Sequence, residues 1–179
     1  DKEIAEFYRA NQAPVTAMVE QVYALWAFAS LHRLAVYQEN KAEQYYAKTQ
    51  YQKILSAVRS RHWSEQTGFY HDRDVNNDKL NPVMNLDAFY FLYFEPDRTR
   101  IARMLEKLND PKKFALPYPP ATAADGEGFC PDGYWSGGYW PREMCYVGMG
   151  LAQAGAGAAG ERLILQAIVS APGNQICET

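Results

Sequence analysis

Two long runs of this sequence, residues 15–38 and 41–60, contain neither glycine nor proline. That constrains the fold more than any other feature, because those two residues are the usual interrupters of helices. In the first run, VTAMVEQVYALWAFASLHRLAVYQ, the apolar residues Val19, Val22, Tyr23, Trp26, Ala29 and Leu34 approximate helical spacing. Pro14 suits a helix start. Ala27 and Ala29 would let a second helix come close. The second run carries its own stripe, Tyr45, Tyr51, Ile54, Leu55 and Val58. Only the polar link Gln38 to Asn40 separates them, which predicts an antiparallel helical hairpin.

The pattern continues with interruptions. WSEQTGFYHDRDVNND, residues 63–78, is punctuated by Gly68 and reads as a turn with a short strand or hairpin. Residues 84–93, MNLDAFYFLY, are apolar enough for a buried helix. Asp97 suits the N-cap of a helix ending near Asn109. Residues 110–140 hold Pro111, Pro117, Pro119, Pro120 and Pro131 with several glycines, a long loop too aromatic to read as disordered. Helical patterning returns from Pro141 and again over residues 158–171. The prediction is one all-α domain over residues 1–179, built of helical hairpins with one short β-hairpin.

Composition excludes some functions. The net charge of −3 gives no electrostatic case for nucleic acid, and Arg98, Arg100 and Arg103, the densest basic group, read as a solvated helix face. No apolar run approaches the ~20 residues of a membrane span. Cys130, Cys145 and Cys177 form neither a disulfide framework nor a metal motif and read as buried free thiols. His32, His62 and His71 lack metal spacing and receive no role. Asp72, Asp74, Asn76 and Asp78 resemble the front of a calcium loop. The glycine and the distal acid of such a loop are replaced by Asn77 and Val83. A polar turn is therefore expected and no cofactor, with calcium as the alternative.

Residues 134–141, YWSGGYWP, pose the functional question: two tryptophans, Trp135 and Trp140, flank a Gly137–Gly138 pair. An aromatic face can stack on the C–H face of a sugar while polar groups bind its edge. Glycine lets the backbone approach a ligand. The same residues could equally plug the loop onto the protein's own core.

Four segments together resemble glycoside hydrolase family 63 and its trehalase-like relatives. WSEQTGFYHDRD is similar to the family's W-D-E-x-x-G-F-Y-Y-D stretch. The run from Arg100 to Phe129 is similar to its L-x-D-P-x-x-F helix end and following loop. GYWSGGYWP is similar to its Y-W-R-G-x-x-W-P signature, and Gly150–Leu151 with Ala154–Gly155 to the helix end after it.

The resemblance implies the C-terminal part of an (α/α)6 toroid, with inverting hydrolysis of α-glycosidic bonds in glucosides or related oligosaccharides. That chemistry uses two carboxyl groups roughly 6.5–9.5 Å apart, one acid and one base. Glu178 falls at the matching place for the base. Tyr134, Trp135, Gly137 and Trp140 match the signature and would line the sugar site. Nothing matches the G-W-D-x-S-P-R surroundings of the general acid, so the chain by itself is expected to be inactive. Ser136 stands where the signature has arginine, Met144 where asparagine is usual and Cys145 where tyrosine is common. These departures keep a noncatalytic carbohydrate-binding or interaction protein on the same scaffold as the alternative. A partial toroid would also leave apolar helix faces uncovered, so self-association is expected.

Overall fold

A computed structural model describes residues 15–115, 120, 122–124, 138 and 140–169. The chain runs β1 (Val15–Thr16), α1 (Met18–Tyr37), α2 (Lys41–Arg61), β2 (Trp63–Ser64), β3 (Phe69–Tyr70) and β4 (Arg73–Asp74). A 3₁₀ helix (Leu86–Tyr93), α3 (Arg98–Leu108), α4 (Pro141–Gln153) and α5 (Gly157–Val169) follow.

The predicted hairpin is α1–α2. Its turn closes through Glu39, which adopts φ 56°, while Asn40 accepts from the Glu43 amide and so caps α2. The first helix starts at Met18 rather than Val15, because Val15 and Thr16 pair antiparallel with Asp74 and Arg73. That gives a second two-stranded pairing besides the expected hairpin, in which Trp63 faces Tyr70 and Ser64 faces Phe69.

Residues 86–93 form a 3₁₀ helix where an α-helix could be expected. Six of its eight residues are buried, so apolar periodicity carries no information about its winding and packing decides it. It lies between α1 and α4, and α5 packs on the far side of α4. α3 turns Ile101, Met104 and Leu108 inward beside β3. Rings fill the centre: Phe69, Phe89 and Phe114 meet one another with centroids 5.2–6.1 Å apart. A second group joins Tyr23, Trp26, Tyr90, Tyr93 and Phe94 around Tyr146 or its neighbours.

Two close approaches hold the helices in place. A Cβ at Gly150 would lie 2.5 Å from the Phe89 carbonyl oxygen, and one at Gly160 would lie 2.9 Å from the Gly148 carbonyl oxygen. Both obstacles are backbone and cannot swing aside. Gly150→Ala should therefore force α4 away from the 3₁₀ helix and cost about 1–3 kcal/mol, the range for overpacking, read from urea denaturation.

Two expectations are corrected. Arg98 is exposed, as expected of a solvated face, but Arg100 and Arg103 are partly covered. Arg100 lies 4.8 Å and Arg103 5.4 Å from the Trp63 ring, and Arg103 also binds Glu65 at 2.7 Å. Arg98 donates to the Ala154 carbonyl that ends α4, 2.7 Å away. Arg100 and Arg103, three residues apart, share a helix face onto which the β2–β3 hairpin folds, and Arg98, on another face, reaches the end of α4. Cys145 is exposed rather than buried, because it lies on the outer side of α4; Cys130 and Cys177 lie outside the described residues. The outer ends of α1 and α5 leave Tyr37 and Val169 largely exposed. Among the described residues no helix is long and apolar enough to cross a membrane.

Candidate active site

Three helix starts meet at one end of this assembly: Met18 of α1, Leu86 of the 3₁₀ helix and Pro141 of α4. A helix start presents unpaired amides and a partial positive charge, so it favours carboxylates. Asp72 joins two of the starts. Its Oδ1 accepts from the Met18 amide and its Oδ2 from the Asn85 side chain, each at 2.8 Å. Burial raises the Asp72 carboxyl above its ordinary range, and those two bonds pull it back.

Glu143, in the first turn of α4, is also buried. Its Oε2 accepts from the Tyr90 hydroxyl, and its Oε1 accepts from Arg142 Nε at 2.8 Å. Burial raises this carboxyl too. Tyr23 stands nearby: burial raises its hydroxyl first, and the Glu143 charge adds to the effect.

Asp87 completes the acidic group from the first turn of the 3₁₀ helix. Burial pushes its carboxyl well above the carboxylate range, and the charges of Asp72 and Glu143 push the same way. The nearby Ala88 amide opposes this weakly, since it is already spent on the Asn85 carbonyl at 3.2 Å. Asp87 Oδ1 is enclosed and has no hydrogen-bond partner among the described residues.

The long loop is tied to the same place. Asn85 and Ala123 form an antiparallel bridge, the Leu86 amide donates to the Thr122 carbonyl at 2.7 Å, and the Ala124 amide to the Met84 carbonyl at 2.9 Å. The Thr122 amide in turn donates to the Gly138 carbonyl at 3.2 Å. This chain of bonds carries the end of YWSGGYWP to the acids. Trp140 is buried at the N-cap of α4, one turn before Glu143, and Pro141 occupies the first helical position. Tyr134, Trp135, Gly137 and Glu178 lie outside the described residues.

Behind Asp72 stand two buried histidines in fixed tautomers. His62 Nδ1 donates to the His71 carbonyl at 2.8 Å, and His71 Nδ1 donates to the Val83 carbonyl at 3.1 Å. His71 Nε2 is left to accept from the Thr67 hydroxyl at 2.8 Å. Burial lowers both histidines. The turn after them is the polar turn expected from the sequence. Asp78 is held by Arg73 and Arg61, each at 2.6 Å, and Asp74 accepts from the Asn76 amide and the Asn77 side chain. Arg73 first, then Arg61, hold the Asp78 carboxyl well below the usual range.

The raised carboxyls have a pH signature. The folded chain keeps the Asp87 proton above the ~3.8–3.9 at which the unfolded chain releases it. Stability from this group is therefore full below that pH and is lost as pH rises toward the folded value. Asp87→Asn has nothing to release. Its stability relative to the native sequence should rise with pH in that window by up to about 1.4 kcal/mol per pH unit, measured by urea melts at stepped pH.

Sequence reasoning missed Asp72, Asp87, Tyr90 and Glu143 as one group. The available signal was a single acid, Asp87, inside an otherwise apolar buried run.

The architecture is an all-α stack of helical hairpins with acids gathered near the helix starts. The family model described as the mannosylglycerate hydrolase MGH1-like glycoside hydrolase domain matches residues 8–178, and the chain belongs to that family. Among solved structures, the GH63 mannosylglycerate hydrolase from Thermus thermophilus in complex with Tris superposes with a TM-score of 0.77 at 21% identity. The match covers 92% of this chain and 39% of that one. A sialidase superposes with a TM-score of 0.71 at 18% identity over 79% of this chain and 14% of that one. An uncharacterized protein of Borreliella burgdorferi is 34% identical over 91 residues, 50% of this chain and 19% of that protein. The chain thus spans well under half the length of these relatives.

Proposed function

We propose that this chain forms part of an inverting glycoside hydrolase that cleaves α-glycosidic bonds of glucosides or related oligosaccharides. Glu178 serves as the base that takes a proton from the attacking water. Tyr134, Trp135, Gly137 and Trp140 line the sugar site. Water oxygen joins the anomeric carbon as the glycosidic C–O bond breaks, and an acid elsewhere in the whole protein protonates the leaving oxygen. Nothing in residues 1–179 matches that acid's motif, so the reading assigns this chain one member of the pair and one wall of the site.

The observation that carries the reading is the position of Trp140. It ends the aromatic segment one turn before Glu143, at the helix starts where Asp72 and Asp87 also lie. An aromatic residue at a helix start that also carries a buried carboxyl suits a pyranose site. Relatives of the same fold have been solved with glucose and with Tris plus D-glycerate, which supports a small polyhydroxyl ligand.

Ser136, where the signature has a cationic arginine, favours the second reading of a noncatalytic carbohydrate binder. Turnover of aryl α-glucosides by the full-length protein, with and without Glu178→Gln, separates the two. Turnover that depends on Glu178 supports the hydrolase; binding without turnover supports the binder.

A further inference from the structure

Two buried oxygens close to the end of the aromatic segment have no hydrogen-bond partner among the described residues: Asp87 Oδ1 and Thr122 Oγ1. They are neighbours in the fold. Thr122 sits opposite Leu86, one residue before Asp87, and its backbone is engaged on both sides, by the Leu86 amide and the Gly138 carbonyl. The hydroxyl is therefore held in place without being used. The two oxygens are themselves enclosed, while the rest of each residue keeps some exposed surface. Buried polar atoms are nearly always satisfied, and leaving one unpaired costs free energy. Two such exceptions, on segments joined by the Leu86–Thr122 backbone bond, require a physical reason.

We propose that Asp87 and Thr122 form a polar subsite that binds adjacent hydroxyls of the sugar, and so act as specificity-determining residues. This rests on the reading of the site as a sugar site. Asp72 cannot take the role, since both its oxygens are committed to Met18 and Asn85. Glu143 cannot either, with its oxygens on Tyr90 and Arg142. Asp87 alone of the three acids has an unspent oxygen.

Its surroundings set its chemistry. Asp72 and Glu143 face it with acidic groups, and Asp87 holds a proton well above the usual carboxylate range. A protonated carboxyl donates through O–H and accepts through its other oxygen; the Thr122 hydroxyl does both. The pair can thus read either orientation of a vicinal diol. A hydroxyl-rich, uncharged sugar fits, whereas a carboxylate placed here would meet acids.

The test uses the full-length protein and a panel of aryl α-glycosides, together with their single-deoxy analogues. Asp87→Ala and Thr122→Val should each lower kcat/KM or binding by about tenfold, the effect of one net hydrogen bond. Asp87→Asn, whose amide still donates and accepts, should recover part of the loss. One deoxy analogue should bind the native protein about tenfold more weakly and bind Asp87→Ala no worse than the parent sugar does. That coupling would not arise from a merely structural role. Equal losses for every deoxy analogue in native and variant proteins would overturn the proposal, as would unchanged kcat/KM in folded Asp87→Ala and Thr122→Val. A native protein that neither binds nor cleaves any glycoside would instead overturn the sugar-site reading and this proposal with it.

Discussion

Glu178→Gln should lower turnover of an aryl α-glucoside by the full-length protein about 10²–10⁴-fold, the usual contribution of a general base. Glutamine keeps the shape and the hydrogen-bonding reach of glutamate but cannot take a proton from water. Sugar binding should therefore survive, and the loss should fall on kcat rather than on KM. An equal rise in KM with unchanged kcat would assign Glu178 to binding. Unchanged kinetics would remove it from the mechanism, leaving the aromatic wall and the acidic group to be explained as a binding site alone.

The largest stability effect should come from Glu95. Its side chain is fully buried, with Oε2 accepting from the Tyr70 hydroxyl and Oε1 from the Asp97 amide at 2.8 Å. Arg59 Nε lies 3.4 Å from Oε1. Arg100 donates to both the Tyr70 oxygen and the Arg59 carbonyl at 2.9 Å, so the network ties α2, β3 and α3 together. Burial first, then the Glu95 bond, raises the Tyr70 hydroxyl well above its usual range, which keeps it a donor at any physiological pH. Glu95→Ala strips the buried Tyr70 hydroxyl and the Asp97 amide of their acceptor and Arg59 of its ion-pair partner. It should cost about 3–5 kcal/mol, toward the lower end because Arg59 can turn to solvent. Tyr70→Phe should cost about 1 kcal/mol, and the double variant less than the sum, because the two changes remove one shared bond. Urea denaturation of the three variants measures this; a Glu95→Ala loss below about 1 kcal/mol would contradict the network.

The helices were legible in the sequence because they rest on local rules. Runs 15–38 and 41–60 had no glycine or proline to break them, and Asp97 does cap α3 by accepting from the Thr99 and Arg100 amides. The aromatic segment was legible as a motif. What could not be read was convergence. Asp72, Asp87 and Glu143 lie far apart in the chain, and each looks like an isolated acid until the helix starts bring them together. The same holds for the arginines of α3, whose partner Trp63 is brought over them by a hairpin. Winding was hidden too: in the run Leu86–Tyr93 almost every residue is buried, so no periodicity remained to tell a 3₁₀ helix from an α-helix.

The central claim is that a sugar binds where the starts of α1, the 3₁₀ helix and α4 meet. The most direct measurement is a crystal structure of the full-length Glu178→Gln protein with an aryl α-glucoside bound. The expected result is a pyranose ring against Trp140, with hydroxyls within hydrogen-bond distance of Asp87 and Thr122. A sugar seated on another face, with Trp140 and Asp87 untouched, would contradict it.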